Sequence, residues 1–273
     1  MAPPPPRDEE AATATTGASN NNNNNSNAVR ADDSAAANTS VSWKSYDPDD
    51  LTVGERYGLC ISAVVPRPVA VITSLSSPSS PGDDDGILNC APFSYTSIQS
   101  HDPPIVTHGL CLSRGGKKKD TLNNIESTGE WVYNVLTTNY LSQANECSAT
   151  LPPDQDEASH VGLDVVASDV VKCPRLKSAK VAMECKLYDK KEVYNDDGVH
   201  TTTIVMGRVV KFHVDERVLD LGDDGGRGKS GEGSPKVDLR ALDAVGRAGG
   251  VTYWPVGVTS KDEGNVLPLP RPK

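Results

Sequence analysis

The chain has 273 residues, with 27 Lys and Arg against 37 Asp and Glu, a formal charge of −10. The first 50 residues hold eight acids and three bases (3 − 8 = −5), so the remainder also carries −5. A deficit of positive charge in both parts argues against nucleic acid as a partner. No stretch reaches the roughly 18 apolar residues of a membrane span, and the start lacks the basic and apolar run of a secretory signal. The expectation is a cytoplasmic protein with no membrane association.

Residues 1–42 contain a proline run, Pro3 to Pro6, and an asparagine run, Asn20 to Asn25, among Ala, Ser, Thr and Asp. Such a segment buries too little apolar surface to offset the entropy of ordering it, and a disordered tail is expected. Aromatic residues begin at Trp43, and residues 43–273 read as one domain. The six cysteines include no C-x-x-C pair, so six free thiols are expected and no metal site.

"ERYGLCISAVV" (Glu55 to Val65) has helical apolar spacing and stops at Pro66. "PVAVITSL" (Pro68 to Leu75) is a short β-branched run suited to a buried strand, followed by a polar, Gly-containing loop, "SSPSSPGDDDG". "GILNCAPFSY" and "IVTHGLCLS" read as two further strands with "SHDPP" between them. Within the first of these, Pro92 forces Ala91 to be extended and removes a donor, so normal pairing is not expected there. Main-chain groups of Asn89, Ala91 and Phe93 would then be free for a planar polar ligand, and Ser94 and Thr96 would share a face with Pro92. An ordinary edge strand fits the same residues.

"SRGGKKKDTLNNI" (Ser113 to Ile125) combines two glycines, three lysines and a helix start at Asp120 and Thr121. Unsatisfied first-turn amides beside lysines suit a phosphate monoester. Asp120 acting as a plain N-cap with solvated lysines is the other reading. Gly129 suits the helix end, "EWVYNVLT" is strand-like, and a second helical piece falls near Tyr140 to Ala149. "AKVAMECKLYDKKEVYN" and "TTTIVMGRVVKFHVDE" are long β segments joined at Asp197 and Gly198, a hairpin signal. Six or more strands with few helices favour a mainly β barrel. "GDDGGRGKSGEGSPK" (Gly222 to Lys236) is a Gly-rich insertion. It fails as a phosphate loop because Asp223 stands where the first glycine is required.

Taken in order, "PRPVAVITS", "GILNCAPFSYTS", "DPP", "KKKDTLNNIESTGEWVYNVL", "GRVVKFHVDE" and "RAGGVTY" resemble the flavin reductase-like family of FMN-binding split barrels, the flavoredoxin type. The resemblance runs from about Tyr57 to Tyr253. It implies a split β-barrel with short peripheral helices, a homodimer, FMN near the subunit interface, and a small-molecule substrate, NADH or NADPH, that reduces the flavin. By the same resemblance, Thr73 and Ser74 would line the flavin ring. Asn89, Ala91, Pro92 and Phe93 would contact its polar edge, and Ser94 its tail. Lys119, Asp120 and Thr121 would anchor the phosphate, while Arg247, Gly250 and Tyr253 would close over the cofactor. His213 matches a histidine on the nicotinamide side, and Arg67 is expected to brace the barrel. A non-enzymatic FMN electron carrier and a dimeric scaffold without flavin are the alternatives.

Overall fold

A computed structural model describes residues 42–78, 86–113, 115–220, 235–250 and 252–256. The expected disordered tail and nearly all of the Gly222 to Lys236 insertion lie outside these residues. The chain divides into two units, Met1–Tyr46 and Asp47–Lys273. Everything below concerns the second.

The first helix, α1 (Val53–Ala63), begins with a capping box in which the Thr52 hydroxyl accepts from the Glu55 amide and the Glu55 carboxylate accepts from the Thr52 amide. Then follow β1 (Ala70–Leu75), β2 (Leu88–Phe93), β3 (Thr96–His101) and β4 (Pro104–Cys111). α2 (Asp120–Thr128), β5 (Glu130–Val135), α3 (Leu141–Glu146) and α4 (Glu157–His160) come next. Two short strands, β6 (Val165–Val166) and β7 (Arg175–Leu176), precede the long hairpin β8 (Val181–Tyr194) and β9 (His200–Val214). β3 is absent from the sequence reading, because "TSIQSH" has no run of branched apolar residues and is largely exposed.

Seven strands form one antiparallel sheet in the order β2-β1-β5-β8-β9-β4-β3. Its two edges, β2 and β3, are consecutive in the chain and separated by only Ser94 and Tyr95. One bent strand therefore serves both edges, and the sheet must curl into a barrel that closes there. The amide of Gly109 on β4 donates to the Tyr95 carbonyl at 2.7 Å and ties the bend to the far side.

β1 is buried on both faces, which explains its unbroken apolar run. Ala70 and Ile72 point into the barrel with Val106, Leu110, Trp131, Val205 and Val209. Val69 and Val71 point the other way, into a second core with Leu136, Tyr140, Leu163 and Leu176. α2 joins the barrel core through Leu122 and Ile125, one helical turn apart. It ends at Gly129 with φ 71°, the left-handed cap expected from sequence.

A polar network lies inside the barrel. His108, fully buried, accepts from Trp131 Nε1 at its Nε2 (3.3 Å) and lies 3.0 Å from Thr96 Oγ1 at its Nδ1. With Nε2 as acceptor, the ring is neutral and its proton sits on Nδ1. Burial pushes the imidazole down to about 3. Among the described residues, no helix is long and apolar enough to cross a membrane.

Candidate functional site

β2 and the start of α2 meet beside the edge where the barrel closes. The Cys90 amide donates to Glu157 Oε2 on α4 at 3.0 Å, so it points away from β1. Main-chain direction alternates along a strand, which places the Pro92 carbonyl on the outward side and those of Asn89, Ala91 and Phe93 on the inward side. This corrects the sequence expectation for the free main-chain groups. Pro92 sits opposite Val71 in unbroken register, because the donor it lacks is one that the ladder does not use.

α2 has Lys119 as its N-cap with no side-chain capping bond, and Asp120 is its first helical residue. Asp120 therefore is not the cap; the Leu122 amide donates to the Lys119 carbonyl at 3.0 Å, and the amides of Asp120 and Thr121 are left without an acceptor among the described residues. Before it, Gly115 (φ 90°) and Gly116 (φ 77°) turn the chain so that Ser113 can bond Lys117. Both angles are ones that side chains resist.

The three lysines differ. Lys118 is taken by Glu126 at 2.6 Å, whose other oxygen holds Lys190 at 2.5 Å. Lys117 and Lys119 make no ion pair among the described residues, and Lys119 Nζ lies 5.9 Å from the Phe93 ring centre. Thr121 is buried and accepts from Asn89 Nδ2 at 2.8 Å, leaving its own O–H to donate. Ser74, also buried, accepts from Asn124 Nδ2 at 3.2 Å. These bonds join β1, β2 and α2 beneath the edge.

Two cavities open here. One, of about 400 Å³, is walled by Tyr57, Phe93, Ser94, Tyr95, Arg247, Gly250 and Tyr253. The second, of about 200 Å³, is walled by Asn89, Ala91, Lys117 to Thr121, Ser148 to Leu151 and Glu157. Pro92, Phe93, Lys119 and Ser148 line both, so the two form one elongated recess with Lys119 between its parts. An aromatic chamber joined to a cationic one at a helix start fits a flat ring carrying a phosphate tail.

Arg247 lies over the Tyr253 ring at 4.3 Å and lines the larger chamber from the same chain as β2. Arg67, expected to brace the barrel, is buried and also lines the larger chamber. It donates to the Ile61 and Val64 carbonyls at the end of α1 (2.6 and 2.9 Å) and to the Ala248 carbonyl (3.3 Å). It thereby fixes α1 and the Arg247 segment to one wall.

Three expected positions fall elsewhere. Thr73 and Ser74 do not line either cavity: the Thr73 hydroxyl donates to the Pro174 carbonyl at 2.7 Å, and Ser74 lies under Asn89. The alternation of β1 turns Thr73 to the opposite face.

His213 is also away from the recess, its Nε2 2.6 Å from Glu184 Oε1. Glu184, wholly buried, further accepts three amides, those of Asp169, Val170 and Val171, at 2.7 to 2.8 Å. Burial alone would raise this carboxyl, but His213 and the amides outweigh it and hold it near 2. Asp169, His213 and Glu184 lie close enough together to suggest a metal site. However, the Glu184 oxygens are already engaged and Asp169 faces Lys211 at 3.1 Å.

Sequence reasoning missed Tyr57, Tyr95, Ser148 and Glu157. The signal for Ser148 was "CSAT" directly after a helix, a cluster of small polar residues. Glu157 offered none, because its partner at Cys90 is distant in sequence.

Residues 62–229 match the family model described as the flavin reductase like domain. Protein YwrF of Bacillus subtilis is 37% identical over 175 residues, which is 64% of this chain and 82% of that one. The structure is similar to nitrilotriacetate monooxygenase component B from Bacillus cereus (TM-score 0.69, 29% identity, 80% of this chain and 98% of that one). A protein with a split barrel domain from Shewanella frigidimarina aligns with TM-score 0.63 at 20% identity, over 82% of this chain and 96% of that one, and shares the fold.

Proposed function

The chain belongs to the flavin reductase-like family, and from this premise we propose that it binds FMN along the joined recess and catalyses its reduction by NADH or NADPH. The observation that carries this reading is the placement of Lys119 and the uncapped α2 start at one end of a chamber lined by Phe93, Tyr95 and Tyr253. Lys119, the α2 amides and the Thr121 hydroxyl would hold the phosphate. When bound, the flavin supplies a hydride acceptor at its N5 for the nicotinamide C4.

The protein's part is to hold and to shield. Phe93 and Tyr253 exclude water from the ring chamber, and Arg247 sets a cation on its wall. A fixed cation favours negative charge developing on a reduced ring. Asn89 positions Thr121 and therefore the tail. No acid and base pair is needed for hydride transfer.

α1 buries only Ile61 and exposes Val53, Tyr57 and Leu59. Tyr57 also lines the ring chamber. A second copy of the chain is the proposed cover, giving a homodimer with the flavin near its interface. Six unpaired cysteines fit a reducing compartment, and the cytoplasm is the proposed location.

Purified protein titrated with FMN under anaerobic conditions tests the reading. Saturable binding followed by bleaching of the flavin band with NADH or NADPH, without a helper protein, is the expected outcome. Binding without bleaching would leave a carrier of electrons, and no binding would remove the flavin reading.

A further inference from the structure

The smaller chamber contains a feature that a phosphate pocket does not call for. Glu157, the first residue of α4, is buried in its wall, and its carboxylate accepts the outward Cys90 amide of β2 at 3.0 Å. Asp120 lines the same chamber and Asp156 lies next to Glu157 in sequence. The chamber thus carries two acids against Lys117, Lys118 and Lys119, and Lys118 is already spent on Glu126. A phosphate drawn to Lys119 and the α2 start would share its enclosure with a carboxylate.

We propose that Glu157 is the residue through which this site responds to the charge on the flavin tail, so that seating the phosphate draws a proton onto Glu157. This rests on the FMN reading above. Two like charges in one partly buried space disfavour each other, and the group that can neutralise is the one that yields. Glu157 is suited to yield. Burial raises its carboxyl above the usual range, the Cys90 amide partly opposes this, and the charges of Asp120 and Asp156 raise it further. The other groups facing it are the thiols of Cys90 and Cys147 and the lysines before α2. The Cys90 thiol is itself pushed well up by its hydrogen bond to Cys147 and by burial, so it does not compete as an anion.

The hydrogen bond to Cys90 makes the test clean, since Glu157→Gln retains an oxygen acceptor for that amide while removing the charge. FMN and riboflavin, which differ only in the phosphate, are titrated into wild type and Glu157→Gln at pH 7.5. The expected result is that FMN binds about tenfold more tightly to the variant, the scale of one charge pair at partly screened separation, while riboflavin affinity is unchanged. A second measurement needs no variant: calorimetry of FMN binding to wild type in two buffers of different ionisation heat should show net proton uptake, absent for riboflavin.

Unchanged FMN affinity in the variant, equal shifts for both ligands, or no proton uptake would overturn the role of Glu157 while leaving FMN binding intact. If wild type bound neither flavin, the reading beneath it would fall instead.

Discussion

The recess between β2 and α2 and the corner around Glu184 contain similar residue types, yet they differ in how much hydrogen-bonding capacity is already used. At the corner, Glu184 accepts three amides and His213, which leaves it nothing to offer a ligand. At the recess, the α2 start is uncapped, Lys119 has no ion pair among the described residues, and the buried Thr121 keeps a proton to donate. A carboxylate beside a histidine suggests chemistry from sequence, but the unspent groups are the ones that can bind. The contrast assigns stability to the corner and ligand binding to the recess.

The largest test of that contrast is at the corner. Glu184→Leu strands the buried Val171 amide and the part-buried amides of Asp169 and Val170 and removes the His213 partner, and should cost about 3 kcal/mol of stability in urea unfolding, as loss of a shared acceptor does. The FMN affinity of the protein that remains folded should not change. Unaltered stability would show that the corner is not the structural element described.

At the recess the effects should reverse. Lys119→Ala, which leaves Thr121 in place as the acceptor of Asn89, should weaken FMN by about tenfold, roughly 1.4 kcal/mol, and riboflavin far less, with the urea midpoint moving little. Equal losses for both flavins would mean that the tail is held elsewhere.

Acid separates a third region, the barrel interior, from both. His108 is held neutral to about pH 3, against 6.5 for a free imidazole. Below pH 6.5 the unfolded chain takes up a proton that the folded chain refuses, so stability is full above 6.5 and falls as pH drops toward 3. The loss should reach about 2 kcal/mol at pH 5, and His108→Gln should flatten the profile over that range. Glu184 adds its own loss only below about 4.5, where a free glutamate begins to take up its proton, as pH falls toward 2. The smallest expected effect is that of His213→Gln on flavin reduction by NADH, which should be nil in stopped-flow traces. A slowed rate would return His213 to the reaction.

Much of this was legible in the sequence, for identifiable reasons. The branched run of β1 and the Asp197–Gly198 turn mark their own structures, and Gly129 marks the end of α2. The K-D-T element and the polar residues of β2 carry enough local chemistry to point at the recess, although β2 itself pairs regularly. What escaped depends on contacts distant in the chain. Which main-chain groups of β2 face outward is decided by its register on β1 and is seen in the Cys90 bond to Glu157, 67 positions away. Thr73 was misplaced because one step along a strand reverses its face, and His213 because its partner Glu184 is reached only through the β8 and β9 pairing. β3 was missed because its residues are mostly exposed and polar, and its place is set by β4 rather than by its own composition.

The most direct measurement is a crystal structure of the chain with FMN. The phosphate should lie between Lys119 and Thr121 at the start of α2, with the ring in the chamber of Phe93 and Tyr253. A flavin bound with its phosphate away from α2, or its ring outside that chamber, would contradict the site.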